Sequence, residues 1–391
     1  AELYGAGPAL LWLGQGLQRQ PMGGNIMRAC AMLPALCGNY AKPGAGLLYL
    51  NGAEQKGVDG DYVVASHLSN GPDPISQMDL AEYLESAENA RAFLCWNINP
   101  VASSPEQSRL MQAMTRDDLF TVVLDIFATD TTDYADYVLP AASFLEFDDL
   151  VGGYFNMSFS AQVKAAEPIG EALPNQEIFR RLARAMGFTE PELQESDADI
   201  IDTVMEGVDI AGDFAALKAS GTLFPSAEAQ LQFADLNFPT PSGKIEIASA
   251  AAAADGHPRL PGPGADARPT GGRLRLLSPA TEWLLNDSYA NDPKVDKQLG
   301  PAMVTINPAD AEARGLAAGS QVRLTNATGS LELNLALSDM VPPGVALSPK
   351  GRWPRRAGKQ RANVNVLNPG AKSDMGESTA VHGVEVEIGA V

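Results

Sequence analysis

Cysteine and histidine are scarce in this sequence. Three Cys residues in a chain of 391, Cys30, Cys37 and Cys95, are too few for a disulfide framework. No Cys-x-x-Cys pair occurs, so the chain offers no zinc or iron–sulfur signature. The three His residues, His67, His257 and His382, are scattered far apart, and a metal site built from protein side chains alone is not expected. Positive charge is also short: 28 Lys and Arg against 48 Asp and Glu leave a formal charge of −20. That balance argues against sequence-independent nucleic-acid binding and against docking on anionic membranes. No apolar run approaches a membrane-spanning length. The start, Ala1 to Gly5, has neither the basic region nor the long apolar core of a secretory signal. The Gly-x-Gly-x-x-Gly dinucleotide fingerprint is missing.

A hydrophobic content of 45% with 19% charged residues describes a folded chain, long enough for two or three domains. Residues 1–52 read as strand, turn, helix, turn, strand. The apolar run Pro8–Leu13 ends in Gly14-Gln15-Gly16. A helix over Met22–Leu36 places Ile26, Met27, Cys30 and Leu33 on one face, with Cys30 and Cys37 able to share a face as packed thiols. A second run follows at Leu47–Leu50. Residues 53–257 read as an α/β domain with helical insertions, beginning with a helix around Leu80–Ala90. Strand Arg91–Trp96, helix Glu106–Met114 and strand Leu119–Leu124 form a strand–helix–strand unit, expected to be parallel. Both strands end in polar residues, Asn97 and Asn99 in one case and Asp125 in the other. Ligands of parallel sheets sit beyond these carboxyl ends. Two readings stay open for Asp125 and the Thr-rich loop behind it: a ligand contact, or an acidic cap on the next element.

Asn175–Gly187 has helical spacing, with Ile178, Phe179, Leu182, Ala183 and Met186 inward and Arg180, Arg181 and Arg184 on a solvated face. Glu190–Asp213 reads as acidic surface helices. Phe238–Ile247 reads as a turn and then a strand, followed by a short helix to Ala254. Residues 258–272, with four Pro and four Gly, form the linker. Beyond it, residues 273–391 alternate short β runs (Met303–Ile306, Gln321–Thr325, Leu331–Leu337, Val345–Leu347) with Gly or Pro turns and one small helix, Pro308–Arg314. This pattern predicts a β-barrel-like domain.

Four stretches, in order, carry a family likeness. Leu13–Arg19 with Leu36-Cys-Gly-Asn39 and Lys42-Pro-Gly-Ala-Gly46 is the first. Asn99-Pro100, Asp125, Thr129-Asp-Thr131, Ala135–Pro140 and Phe144-Leu-Glu146 form the second, and Phe238–Ile247 the third. Leu285-Asn286, Asn307–Ala311, Arg314-Gly-Leu316, Asn365-Val-Leu367 and Asp374 complete the set. Together they resemble the molybdopterin-guanine-dinucleotide oxidoreductases of the dimethyl sulfoxide reductase superfamily, C-terminal portion only. The resemblance implies an α/β protein with Rossmann-like parallel-sheet portions, followed by a double-psi-type β-barrel that caps the cofactor.

The same resemblance implies Mo or W held by two molybdopterin guanine dinucleotides. Asp125 would accept from guanine, because a carboxylate can take N1–H and the exocyclic amino group together. Asn99, Thr129 and Thr131 would contact ribose or phosphate. Asn286, Asn365 and Asp374 would reach pterin or guanine. Gly14 and Gly16 would allow close approach of the backbone to the ligand. Catalytic residues are not identified and no metal ligand is assigned. The family's metal-ligating segment is not among these residues, and an iron–sulfur cluster belongs only in that segment or in a partner. An N-terminal half, as separate chain or missing segment, and an electron-transfer subunit are therefore expected partners. Departures are Asp130, where the family usually has Glu, and Gly152–Asn156. The location implied is cytoplasmic, or periplasmic where a preceding segment carries a twin-arginine signal. The alternative reading is a non-catalytic scaffold or remnant subunit of a redox complex.

Overall fold

A computed structural model of the chain describes residues 2–391 except 51–56, 70, 72, 154, 209–211, 225, 227, 229 and 263–266. The apolar runs at the front become β1 (Leu10–Trp12) and β2 (Gly46–Leu48), paired in parallel through the helix Gly23–Leu36. That helix turns a different face inward from the one its apolar spacing predicts. Gly23, Asn25 and Pro34 are buried, while Leu33 and Cys37 are exposed, so the two thiols share no packed face. The reason is tertiary: Asn25 exchanges hydrogen bonds with the Gly262 main chain at 2.8 and 3.1 Å, which fixes the roll of the helix.

β3 (Ala92–Trp96), β4 (Phe120–Asp125) and β5 (Tyr137–Pro140) form a parallel sheet in the order β3-β4-β5. Helices Leu80–Leu84 and Gln107–Ala113 cover one face over Leu84, Val101, Leu110 and Leu119. The first of them stops at Leu84, short of the expected Ala90. On the other face, helix Asn175–Met186 seats Phe179 edge-on against Trp96 at 5.2 Å. It buries Ile178 and Ala183 but leaves Leu182 and Met186 exposed. Arg180 is not on a solvated face: it is mostly buried between Glu177 and Asp197.

β6 (Asp149–Gly152), β7 (Phe159–Gln162) and β8 (Thr222–Leu223) make a small antiparallel sheet. Helices Asp197–Gly207 and Phe214–Ser220 pack on it, burying Phe159, Ile201, Met205, Phe214 and Leu217. The strand expected after Phe238 does not form. Phe238 N–H donates to Gly243 O at 3.0 Å and the Thr240 hydroxyl to Lys244 O at 2.7 Å, so the turn consumes groups a ladder would need. The linker is strapped to the first unit, because the Arg28 guanidinium donates to the carbonyls of Pro258 and Arg259, both at 2.8 Å. Residues 263–266 of the linker, and the boundary expected near residue 52, lie outside or at the edge of the described residues.

The last region closes into a six-stranded barrel of β9 (Leu274–Leu277), β10 (Met303–Ile306), β11 (Gln321–Thr325), β12 (Ser330–Leu337), β13 (Val345–Leu347) and β14 (Glu385–Ala390). Around the barrel the order is β10-β12-β11-β14-β9-β13. Alternate residues fill it: Leu274 and Leu276, Val304 and Ile306, Val322 and Leu324, then Leu331, Leu333 and Leu335. This period of two is that of a strand with one buried face, and closure leaves the barrel no free edge.

Candidate cofactor-binding cleft

The carboxyl ends of β1 and β4 face loops of the barrel. At the end of β4 the Asp125 carboxylate accepts from Phe127 N–H at 3.3 Å. Burial, reinforced by the negative charge of Asp287, raises its pKa above the ordinary carboxylate range. The buried Thr129 hydroxyl lies beside this carboxylate and favours its charged form, and no other protein group reaches that hydroxyl within hydrogen-bonding distance. The neighbouring loops are pinned together. Asn99 Oδ1 accepts from Thr131 N–H at 3.2 Å and from Thr131 Oγ at 2.7 Å, while Asn99 Nδ2 donates to Asp130 at 3.3 Å. Asn99 and Thr131 therefore spend their polar groups on each other and on Asp130 and Val101.

Across from Asp125 stands the barrel loop carrying Asn286 and Asp287. Asn286 adopts a left-handed backbone, φ 55°, and its Oδ1 accepts from Lys350 Nζ at 3.0 Å. The close approach beneath it requires glycine: a Cβ on Gly351, φ 103°, would lie 2.0 Å from Asn286 O. The Trp353 indole N–H donates to Asp287 O at 2.9 Å and fixes the loop from below. Burial raises the pKa of the Asp287 carboxyl, against which the Lys350 charge works. Burial lowers the pKa of Lys350, and the nearby Arg19 lowers it further. His382 is lowered in turn by burial, then by Arg19 and Lys350. A Cβ on Gly16 would sit 4.0 Å from His382 Nε2, and one on Gly14 would meet nothing.

The result is a strip graded in charge. Asp125 and Asp287 form its acidic end; Lys350, Arg19 and His382 form its basic end. Among the described residues none of those three basic groups is in an ion pair. The Nδ1 atom of His382 is buried without a partner. A cavity of about 950 Å³ between the barrel and helix Pro293–Leu299 shares Lys350 and Trp353 as wall residues.

Gly14, Gly16, Asp125, Thr129 and Asn286 border this strip. Asn365 and Asp374 instead commit their side chains to main-chain groups of the protein. Asn365 Nδ2 donates to Ala102 O at 2.8 Å. The Asp374 carboxylate accepts from Gly24 N–H at 2.7 Å and Asn25 N–H at 3.0 Å. The sequence reading did not single out Asp287, Arg19 or His382 as site residues. Asp287 adjoins Asn286 and Arg19 follows Gly16, but nothing local says that they meet. Cys95 is inert: burial pushes its thiol up to about 12. Among the described residues no group of three His, Cys, Asp or Glu side chains could hold a metal ion.

A parallel α/β part whose strand ends face the loops of a closed barrel, across a strip acidic at one end and basic at the other, defines a protein of mixed α/β and barrel architecture. The chain belongs to the molybdopterin oxidoreductase family, in its dimethyl sulfoxide reductase branch. The family description "Molybdopterin oxidoreductase" matches residues 1–185, and "Molydopterin dinucleotide binding domain" matches residues 274–385. The chain is 33% identical over 397 residues to "Probable oxidoreductase YoaE" of Bacillus subtilis, covering 99% of this chain and 58% of that protein. It is 30% identical over 334 residues to the "Dimethyl sulfoxide/trimethylamine N-oxide reductase" of Cereibacter sphaeroides, covering 73% of this chain and 39% of that protein. The solved "Acetylene Hydratase from Pelobacter acetylenicus" shares the fold, with a TM-score of 0.67 at 19% identity, over 86% of this chain and 49% of that one. The chain thus spans 58% or less of the length of these relatives.

Proposed function

We propose that this chain forms one wall of a molybdopterin guanine dinucleotide site in an oxidoreductase. The observation that carries the reading is the trio Arg19, Lys350 and His382, gathered without a carboxylate ion-pair partner beside the acidic pair Asp125 and Asp287. Like charges brought together under partial burial repel one another, and an anion relieves them. A pyrophosphate suits the basic end. A guanine, with N1–H and an exocyclic amino group, suits the carboxylate of Asp125. The buried Thr129 hydroxyl beside Asp125 and the unpartnered His382 Nδ1 supply two further polar contacts.

When bound, the cofactor supplies two-electron redox chemistry at Mo or W, such as oxygen-atom transfer. This chain's residues bind and orient it. Asp125 holds the base, Arg19 and Lys350 neutralise phosphate charge, and the Asn99–Thr131 pair keeps the β3 and β4 loops in register around the base. The metal's protein ligand and any iron–sulfur cluster are assigned to an N-terminal half, present as a further segment or a separate chain, with an electron-transfer subunit as a second partner. The protein is placed in the cytoplasm, or in the periplasm where a preceding segment carries a twin-arginine signal. Among the described residues no helix is long and apolar enough to cross a membrane.

Metal analysis and pterin fluorescence of the purified native complex, with calorimetric titration of GDP into the chain, test the reading. Mo or W, pterin and GDP binding are the expected results. Absence of all three would leave the fold as a cofactor-free scaffold.

A further inference from the structure

Helix Gly23–Leu36 has no cap of its own, since its N-cap residue, Met22, makes no side-chain bond to the first turn. The cap comes from the barrel side. Asp374, 350 positions away, gives one carboxylate oxygen to Gly24 N–H at 2.7 Å and the other, 349 positions from its partner, to Asn25 N–H at 3.0 Å. Two orphan donors are satisfied, and the negative charge sits at the positive end of the helix. The contact is part of a longer seam. Asp374 N–H donates to Pro21 O at 2.8 Å, and His382 N–H donates to Arg19 O at 3.0 Å. Gly24 lies so close to Met375 that a Cβ would come within 2.5 Å of its Cγ, and Gly383 meets Pro21 in the same way at 2.7 Å. The loop bearing Asp374 is closed on itself, with Ser373 N–H donating to Ser378 O at 2.7 Å and Lys372 pairing with Glu377 at 3.2 Å, and Lys372 also ties it to Asp79 at 2.6 Å. The seam ends at Arg19 and His382, two members of the basic trio.

We propose that Asp374 is the positioning residue of that trio: by capping helix Gly23–Leu36 from the barrel side, it locks residues 19–25 onto loop 374–383 and holds the Arg19 side chain beside His382 and Lys350. Its carboxylate is committed to main-chain donors, so it acts on a bound anion through Arg19. The inference rests on the reading of the trio as a pyrophosphate site, and its test separates the two.

Asp374→Ala removes both acceptors. Asp374→Asn keeps the side-chain shape and one acceptor, and covers the case in which the alanine variant does not fold. Three quantities are measured on the 391-residue chain: hydrogen exchange at Gly24 and Asn25, the His382 pKa by NMR, and the affinity for inorganic pyrophosphate by calorimetry. Loss of the cap is expected to speed exchange at those amides by about tenfold. It should also raise the His382 pKa, as Arg19 moves away, and weaken pyrophosphate about tenfold, with Asp374→Asn intermediate in all three. Faster exchange with an unmoved His382 pKa and unchanged pyrophosphate affinity would make Asp374 a helix cap and nothing more. Unchanged exchange would also overturn the proposal. If the wild-type chain binds no pyrophosphate, the phosphate-site reading fails on its own account, and the His382 pKa still decides whether Asp374 positions Arg19.

Discussion

Gln107 and Asn363, 256 residues apart, exchange hydrogen bonds in both directions: Gln107 Nε2 donates to Asn363 Oδ1 at 3.1 Å, and Asn363 N–H donates to Gln107 Oε1 at 3.1 Å. Both side chains are buried. Asn363 Nδ2 also donates to Ala102 O at 2.8 Å and Arg352 O at 2.7 Å, so one amide ties the parallel-sheet region to the barrel and to the loop holding Lys350.

Removing either amide strands buried partners. Asn363→Ala is expected to cost roughly 2–4 kcal/mol of stability in urea denaturation. In a double-mutant cycle with Gln107→Ala, the double variant should fall short of the sum of the singles by about 1–2 kcal/mol. Strict additivity would show that the two side chains do not act together.

Asp125→Ala should abolish GDP binding and leave the thermal midpoint within a few degrees of wild type. The carboxylate stands on the last residue of β4, and its hydrogen bonds, from Phe127 N–H at 3.3 Å and from its other immediate loop neighbours Ile126 and Thr129, tie it to no distant element. Calorimetry and a thermal melt check both halves. Wild-type affinity in the variant would remove Asp125 from the site.

Gly351→Ala should be severe, about 3 kcal/mol or more, because both its positive φ and the Asn286 carbonyl oppose a Cβ. Gly44→Ala is the control. Gly44 has φ 70° but open space around it, so only the backbone penalty of about 1 kcal/mol applies. Denaturation midpoints of the two variants should differ accordingly.

Asp287 has a folded pKa above its unfolded one, so the native state binds more protons between the two values. Its contribution to stability is therefore most favourable below the unfolded pKa of about 4 and declines as pH rises through the folded value. Asp287→Asn removes that decline, and its stability advantage over wild type should grow across this window. His382 has the opposite sign. Its pKa is lowered, so stability is lost as pH falls from the unfolded value of about 6.5 through the folded one. His382→Asn should flatten that limb. Denaturation curves taken from pH 3 to 8, in roughly unit steps, read both effects.

Much of the architecture was legible in order along the chain. β3 and β4 are short apolar runs stopped by polar residues, β5 is one closed by Pro140, and the barrel strands alternate buried and exposed positions between Gly or Pro turns. Elements whose form depends on distant partners were not legible. Leu33 looked inward by helical spacing, but the Gly262 backbone sets the roll of its helix through Asn25. Phe238–Ile247 looked like a turn and a strand, but the turn consumes the backbone groups the strand would need. Arg180 looked solvated, but Asp197 arrives from the next helix to hold it.

The sequence by itself determined the alternation that builds the sheets and the barrel, the carboxylate placed at the end of β4, and the family. These are local patterns of apolar and polar residues, and each can be read within a window of a few turns or strands. Only the tertiary structure decided which of the singled-out polar residues face the cleft and which hold the molecule together. Asp125 and Asp374 are both carboxylates in family-like motifs. One lies at a strand end opposite the Asp287 carboxylate, while the other finds two main-chain N–H groups 349 and 350 residues away. A hydrogen bond across that separation leaves no periodic trace in the sequence, and so neither does the gathering of Arg19, Lys350 and His382.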